Sequence, residues 1–197
     1  MGARGHHYIL QHLAVLEGSI VEIGCGRGEG STDFYAGLVV GVKKFRHHAV
    51  DFDREPYTVA QAYADQIENS FAYMMTGEEF LQSVFPALNE KICYAYLDNF
   101  DFNYDPDNEQ WWHVEQKKQY AKYGIDMNNE NSKLAHLTQT KLLLPFCADK
   151  CIIHLDDTFY NGYAWNGKGG TAVPFLLEHN WKIVYNNNMN TVALANF

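Results

Sequence analysis

The sequence predicts an α/β fold: a mostly parallel, seven-stranded sheet with helices on both faces, closed by a C-terminal antiparallel hairpin. Three observations carry this. Short apolar runs alternate with helical stretches along most of the 197-residue chain, and such alternation implies crossovers and parallel pairing. The last two runs, WKIVYNN and MNTVALAN, are separated by too few residues for a crossover, so they pair antiparallel. The first run, SIVEI at 19–23, breaks into glycines at every second position, Gly24, Gly26, Gly28 and Gly30, and helical character begins near Ser31.

The elements follow in order. Residues 3–16 carry Ile9, Leu10, Leu13, Val15 and Leu16 near helical spacing, and Gly18 ends that helix. After the strand at 19–23 and the glycine turn, residues 31–40 read as a helix closed by Gly41. HHAVDFD at 47–53 is a strand with acids at its end, and Glu55-Pro56 opens a helix to about Ile67, since proline suits a first turn. FAYMM at 71–75 is a strand, TGEEFLQSVF starts a helix, and KICYAYLD at 91–98 is a strand. A polar and aromatic stretch fills about 99–131. Residues 131–150 read as a helix capped by Asn131 or Ser132. CIIHLDD at 151–157 is a strand, 162–170 a glycine-rich loop, and AVPFLLEHN the last helix. There is no internal repeat. The chain reads as a single domain over 1–197 with an inserted, lid-like segment at about 99–131, since a connection that long points to function.

Composition narrows the partners. A net charge of −9 argues against nucleic acid or an anionic membrane surface. No run reaches the ~18 apolar residues of a membrane span, and the N-terminus lacks the apolar core and cleavage site of a signal peptide. Cys25, Cys93, Cys147 and Cys151 make no metal-knuckle spacing. They read as reduced, structural thiols of a cytoplasmic protein.

A strand that breaks into spaced glycines and feeds a helix is a cofactor turn, because the missing side chains let the backbone approach a ligand. The dinucleotide spacing GxGxxG fails in both registers, with Glu29 or Ser31 where the third glycine belongs. No lysine completes a phosphate loop. An acid two residues before GxGxG does fit: Glu22, then Gly24, Gly26 and Gly28. This resembles motif I of the class I S-adenosylmethionine (SAM) methyltransferases, whose Rossmann-like fold matches the predicted element order. SAM carries a sulfonium and an ammonium and no phosphate, so Glu22 and Glu29 suit it and would repel a pyrophosphate. The resemblance implies that a carboxylate after the second strand binds the ribose hydroxyls. Asp51 is the first choice and Asp53 the second, against the reading that both cap the next helix. It also implies an adenine contact from Gly77 or Glu78 in Thr76-Gly77-Glu78, although TGEE is equally a helix start.

Two acidic clusters end neighbouring strands: Asp98 and Asp101 in YLDNFD, and Asp156 and Asp157 in HLDD. Carboxylates crowded at strand tips require a proton or a cation between them, and Mg²⁺ or another hard divalent ion with oxygen ligands is the simplest remedy. DDTFYNG at 156–162 resembles the DNTLWNG signature of the caffeoyl-CoA and catechol type metal-dependent O-methyltransferases. Paired aspartates there also resemble the macrocin-type sugar O-methyltransferases. The resemblance implies Asp98, Asp156 and Asp157 as the metal triad. It departs at one place: those families carry a lysine three residues after the strand aspartate, and this chain has Asp101. An aspartate is a poor base near neutrality. The catalytic candidates are therefore Asp98, Asp101 and His113 in the insert, while His154, alternating with Ile153 and Leu155, reads as structural. Trp111 and Trp112 read as an aromatic lid, as packing in a small core, or as a homodimer contact.

The expectation is a cytoplasmic SAM-dependent methyltransferase acting on a small-molecule hydroxyl with a divalent metal. The alternatives are a metal-independent methyltransferase, a SAM-binding protein of this fold without catalysis, and, more distantly, a nicotinamide dehydrogenase.

Overall fold

The computed structural model describes residues 5–26, 30–105, 107–187 and 189–197. Its strands are β1 Gly18–Ile23, β2 Phe45–Asp51, β3 Ser70–Met74, β4 Ile92–Leu97, β5 Cys147–Asp156, β6 Thr158–Tyr160, β7 Trp165–Gly167, β8 Lys182–Asn186 and β9 Thr191–Ala195. Seven of them form one sheet in the order β3-β2-β1-β4-β5-β9-β8, and β6 and β7 make a separate ribbon. The first five are mutually parallel, and β9 enters antiparallel between β5 and β8. The winding reverses beside β1: β2 and β3 lie on one side of it, β4 and β5 on the other. Ligands of doubly wound sheets bind at such a switch point, beyond the carboxyl ends of the strands.

The helices are α1 Ser31–Gly41, α2 Arg54–Ala64, α3 Gly77–Glu79, α4 Phe85–Leu88, α5 Trp111–Lys122, α6 Asn129–Leu143 and α7 Ala172–Glu178. They cover both faces, which is why the central strands read as nearly unbroken apolar runs. The two-residue period sorts each strand between two cores. Val21 and Ile23 face Phe80, Phe85, Leu97 and Leu176. Ile20 faces the other way, with Ile9, Tyr35, Phe45 and Tyr94.

Several boundaries differ from the sequence reading. The first helix is a 3-10 segment, Gly5–His12, and α2 stops at Ala64 rather than near Ile67. The helix expected over 131–150 ends at Leu143, followed by a 3-10 turn around Pro145, and β5 starts at Cys147. Proline cannot donate the next helical hydrogen bond, and the carbonyl behind it loses its partner. The cap of α6 is Asn128, whose side chain accepts the Asn131 N–H at 2.8 Å. The residues after β3 run α3, a π-helical turn over Phe80–Val84, then α4 with Pro86 inside its first turn. The insert holds α5, and the glycine-rich loop holds β7. Among the described residues no disulfide joins the four cysteines, and no helix is long and apolar enough to cross a membrane.

Candidate active site

The end of β1 is a crowded place. Gly24 has φ +91°, and a Cβ there would stand 2.3 Å from the Asn99 nitrogen. Gly26 has φ +72°, and its Cβ would stand 2.1 Å from the Pro56 carbonyl oxygen. Both glycines are therefore required by the chain's own backbone. This close packing is a second demand for glycine at these positions, beside the ligand approach that the spacing predicts. Gly28 and Glu29 lie outside the described residues. Glu22 is fully buried; its Oε2 lies 3.1 Å from His47 Nε2, and His47 Nδ1 lies 3.1 Å from the Ser70 hydroxyl. Its Oε1 has no hydrogen-bond partner among the described residues.

The end of β2 separates the two aspartates. Asp51 is buried, and its Oδ1 accepts the Asp53 N–H at 2.8 Å. Asp53 caps α2, accepting the Glu55 N–H at 3.2 Å. After β3, Thr76 and Glu79 form a reciprocal capping box for α3. Gly77 sits where a Cβ would stand 2.5 Å from Ile23 Cγ2. Glu78 accepts from Gln139 Nε2 of α6 at 3.1 Å, and burial pushes its carboxyl above the usual range against that hydrogen bond.

Across the switch point, a cavity of about 200 Å³ opens between the tips of β1, β4 and β5. Asp98, Asp101, Asp156 and Asp157 line it with Gly24, Ser31 and Asn190. One oxygen each from Asp98, Asp156 and Asp157 lies within 4.8 Å of the others, close enough to share an ion. The cavity also holds a cation that the sequence reading missed. Lys168 is 1% exposed. Its ammonium donates to Asp98 Oδ1 at 2.8 Å and to the Asp98 carbonyl at 3.0 Å, and lies 3.1 Å from Asp157 Oδ2.

The β6–β7 ribbon delivers this lysine. Its return strand passes so close that a Cβ on Gly167 (φ +81°) would stand 1.8 Å from the Asp157 carbonyl oxygen. The Lys168 N–H donates to that oxygen at 2.9 Å, and the Gly169 N–H to Thr158 Oγ1 at 2.8 Å. Burial alone would lower the pKa of Lys168; Asp98, Asp157, Asp101 and Asp156 outweigh it and hold the ammonium well above its ordinary value. Burial likewise works to raise Asp157, but Lys168 and the Tyr104 hydroxyl outweigh it and hold that carboxyl low. His136 of α6 is pushed down to about 3 by burial and then by Lys168, so it stays neutral. The only signal for Lys168 was its place as the one lysine in the glycine-rich segment 162–170.

The other candidates are placed elsewhere. His113 of α5 is buried, with Nδ1 2.8 Å from Glu109 Oε1 one turn back, and is not among the cavity-lining residues. His154 bonds Tyr94 at 2.6 Å and Thr191 inside the sheet. The insert folds over the β2 tip through Tyr120, edge-on to Phe52 and Phe100 at 4.9 and 5.1 Å between centroids. Trp111 and Trp112 stay exposed.

No family model and no curated protein sequence matches the chain. Solved structures do match. A putative rRNA-methylase from Clostridium thermocellum is 11% identical with a TM-score of 0.53, over 97% of this chain and 94% of its own. The 1,6-didemethyltoxoflavin-N1-methyltransferase of Burkholderia thailandensis, solved with bound 1,6-didemethyltoxoflavin and S-adenosylhomocysteine (SAH), is 12% identical with a TM-score of 0.53, over 98% of this chain and 76% of its own. Aeropyrum pernix fibrillarin with natively bound SAM is 12% identical with a TM-score of 0.54, covering 91% and 66%. The fold is that of the class I SAM-dependent methyltransferases. Within this methyltransferase fold, Asp51 lies on the β2 side of the switch point and the acidic cavity on the β4–β5 side.

Proposed function

We propose that this chain is a cytoplasmic SAM-dependent methyltransferase acting on a hydroxyl of a small molecule. The observation that carries the reading is how polar groups divide around the end of β1. A buried carboxylate, Asp51, stands on one side and the acidic cavity on the other, with the glycine turn between them. The donor set suits SAM. Asp51 can accept ribose hydroxyls, and the surrounding carboxylates favour a sulfonium and an ammonium. Asn99 Oδ1, beside Gly24, is a buried acceptor with no partner among the described residues. Bound SAM would supply an electrophilic methyl group.

The chain's own task is then to hold an acceptor oxygen in line with that group and to take its proton. Asp101 and Asp156 line the cavity and are assigned that orientation; because aspartates are poor bases near neutrality, the reading favours an acceptor hydroxyl that is already acidic. The transfer forms an oxygen–methyl bond and breaks the donor's carbon–sulfur bond. A cavity of about 200 Å³ suits one small polar group at the reacting position, and the net charge of −9 disfavours RNA or DNA. A divalent ion such as Mg²⁺ on Asp98, Asp156 and Asp157 is one way to orient the hydroxyl, and direct bonding to the carboxylates is the other. The position of Lys168 favours the second.

Titration calorimetry with SAM, SAH and NAD tests the cofactor. SAM and SAH are expected to bind and NAD to give no heat. NAD binding as tight as SAH would end the methyltransferase reading.

A further inference from the structure

We propose that Lys168 is a resident cation standing among the carboxylates that could otherwise hold a divalent metal, so that the acidic cavity works without one. The proposal rests on the methyltransferase reading for the purpose of the cavity. Its test reads metal binding on the protein alone and does not depend on SAM.

The carboxylates of Asp98, Asp156 and Asp157 are close enough for one ion to reach all three. An ion bound at ~2.1–2.4 Å from oxygens of Asp98 and Asp157 would share both residues with an ammonium at 2.8 and 3.1 Å. Two cations sharing the same carboxylates repel each other. Lys168 is also saturated. An ammonium has three N–H groups, and three oxygens surround this one: Asp98 Oδ1, the Asp98 carbonyl and Asp157 Oδ2. A saturated, protonated ammonium is not a general base. Lys168 is thus a positioning residue, which neutralises part of the cluster and fixes the β4 tip against the ribbon.

Nor can the lysine easily step aside. Its stem is buried, its own N–H is held by the Asp157 carbonyl, and the next N–H is held by Thr158. Swinging the side chain into solvent would empty packed volume and break its contacts to Asp98 and Asp157. Asp157 itself sits at φ +45°. That backbone conformation is unfavourable for a residue other than glycine, and the contacts to Lys168 on both its carboxylate and its carbonyl hold it there. The cation therefore belongs to the fold of this corner.

The test is Mn²⁺ binding, followed by the electron paramagnetic resonance of free Mn²⁺, on the purified wild type, Lys168→Met and Lys168→Arg. Met keeps the buried stem and removes the charge; Arg keeps the charge. The wild type and the Arg variant should leave Mn²⁺ free up to about 1 mM, and EDTA or Mn²⁺ should leave the wild-type melting temperature unmoved. Lys168→Met should bind Mn²⁺ at least about tenfold more tightly, because a repelling charge has gone from the ion's seat, and its melting temperature should rise with Mn²⁺. A residue of purely structural function would lower the melting temperature without creating a metal site. Wild-type protein that binds Mn²⁺ well below 1 mM, with binding lost in Asp156→Asn, would overturn the proposal. So would a folded Lys168→Met protein that gains no affinity. If Lys168→Met does not fold, the wild-type titration decides: Mn²⁺ left free supports the resident cation, and Mn²⁺ bound refutes it.

Discussion

Asp51 and Asp53 stand two residues apart at the same strand tip, and the structure assigns them different work. Asp51 is buried, and one of its oxygens takes the Asp53 N–H at 2.8 Å. Asp53 caps α2. Removing each carboxylate should therefore be read out by a different instrument. On the proposed reading, Asp51→Ala removes a charged acceptor of two ribose hydroxyls. At roughly 1.5–3 kcal/mol, this weakens SAH binding about 10- to 150-fold. In Asp53→Ala, an N-cap is lost, which costs about 1 kcal/mol of stability, or roughly 2–4 °C in melting temperature for a domain of this size. SAH affinity should then stay within about twofold. Asp51→Asn separates the roles further. Its amide oxygen still accepts the Asp53 N–H, so stability is kept while the charge on the ribose is removed. Calorimetry with SAH and thermal unfolding on the three variants give the full pattern. If Asp53→Ala loses more SAH affinity than Asp51→Ala, the ribose contact belongs to Asp53 and the assignment is wrong.

Three further outcomes are expected. Gly77→Ala places a methyl 2.5 Å from Ile23 Cγ2 and should destabilise the domain by about 1–3 kcal/mol; an unchanged denaturation midpoint would show that β1 yields there. Gly26→Ala meets both a positive φ and the Pro56 carbonyl, so it should lower the melting temperature more than Gly30→Ala, whose Cβ meets nothing within 4 Å. The reverse order would remove the packing argument for Gly26. Glu90 is held down to about 2 by the His48 hydrogen bond first, then by Ser19 and Arg46, against burial. Burial lowers His48 itself, so it stays neutral near pH 7 and serves Glu90 as an N–H donor, with Arg46 as the permanent cation. A folded pKa below the unfolded one means stability that is present above about pH 4.3 and lost as pH falls toward 2. Glu90→Gln should flatten that part of the acid-unfolding curve, and an unchanged slope would put the acid sensitivity elsewhere.

The fold was legible because it depends on period and punctuation. Strand and helix alternation, the break at Gly24 and the tight final connection are local facts, and they sufficed for parallel pairing with an antiparallel end. The boundaries that moved did so where a single residue overrides a pattern: Pro145 ended α6 early, and Asn128 captured its start. The glycine turn was legible from its spacing, but one of the reasons for its glycines was not. Gly24 and Gly26 are free of side chains because Asn99 and Pro56 press against them, and a contact between residues so distant in sequence leaves no mark in a spacing rule.

The acidic cluster shows the same limit more sharply. From the sequence, Asp98, Asp156 and Asp157 read as needing a cation, and the structure sets the Lys168 ammonium against Asp98 and Asp157. The sequence could not say which cation meets that need. Local spacing reveals where charges of one sign accumulate, since neighbours in sequence at a strand end are neighbours in space. It does not reveal the counter-charge, because that group arrives from an unrelated part of the chain. Lys168 reaches Asp98 across 70 positions, carried by a ribbon whose pairing depends on Gly167 passing over the Asp157 carbonyl. On the proposal that Lys168 is the resident cation, this apparent metal triad is a statement about accumulated charge. Whether an ion or a side chain restores the balance is decided by the loop that covers the strand tips.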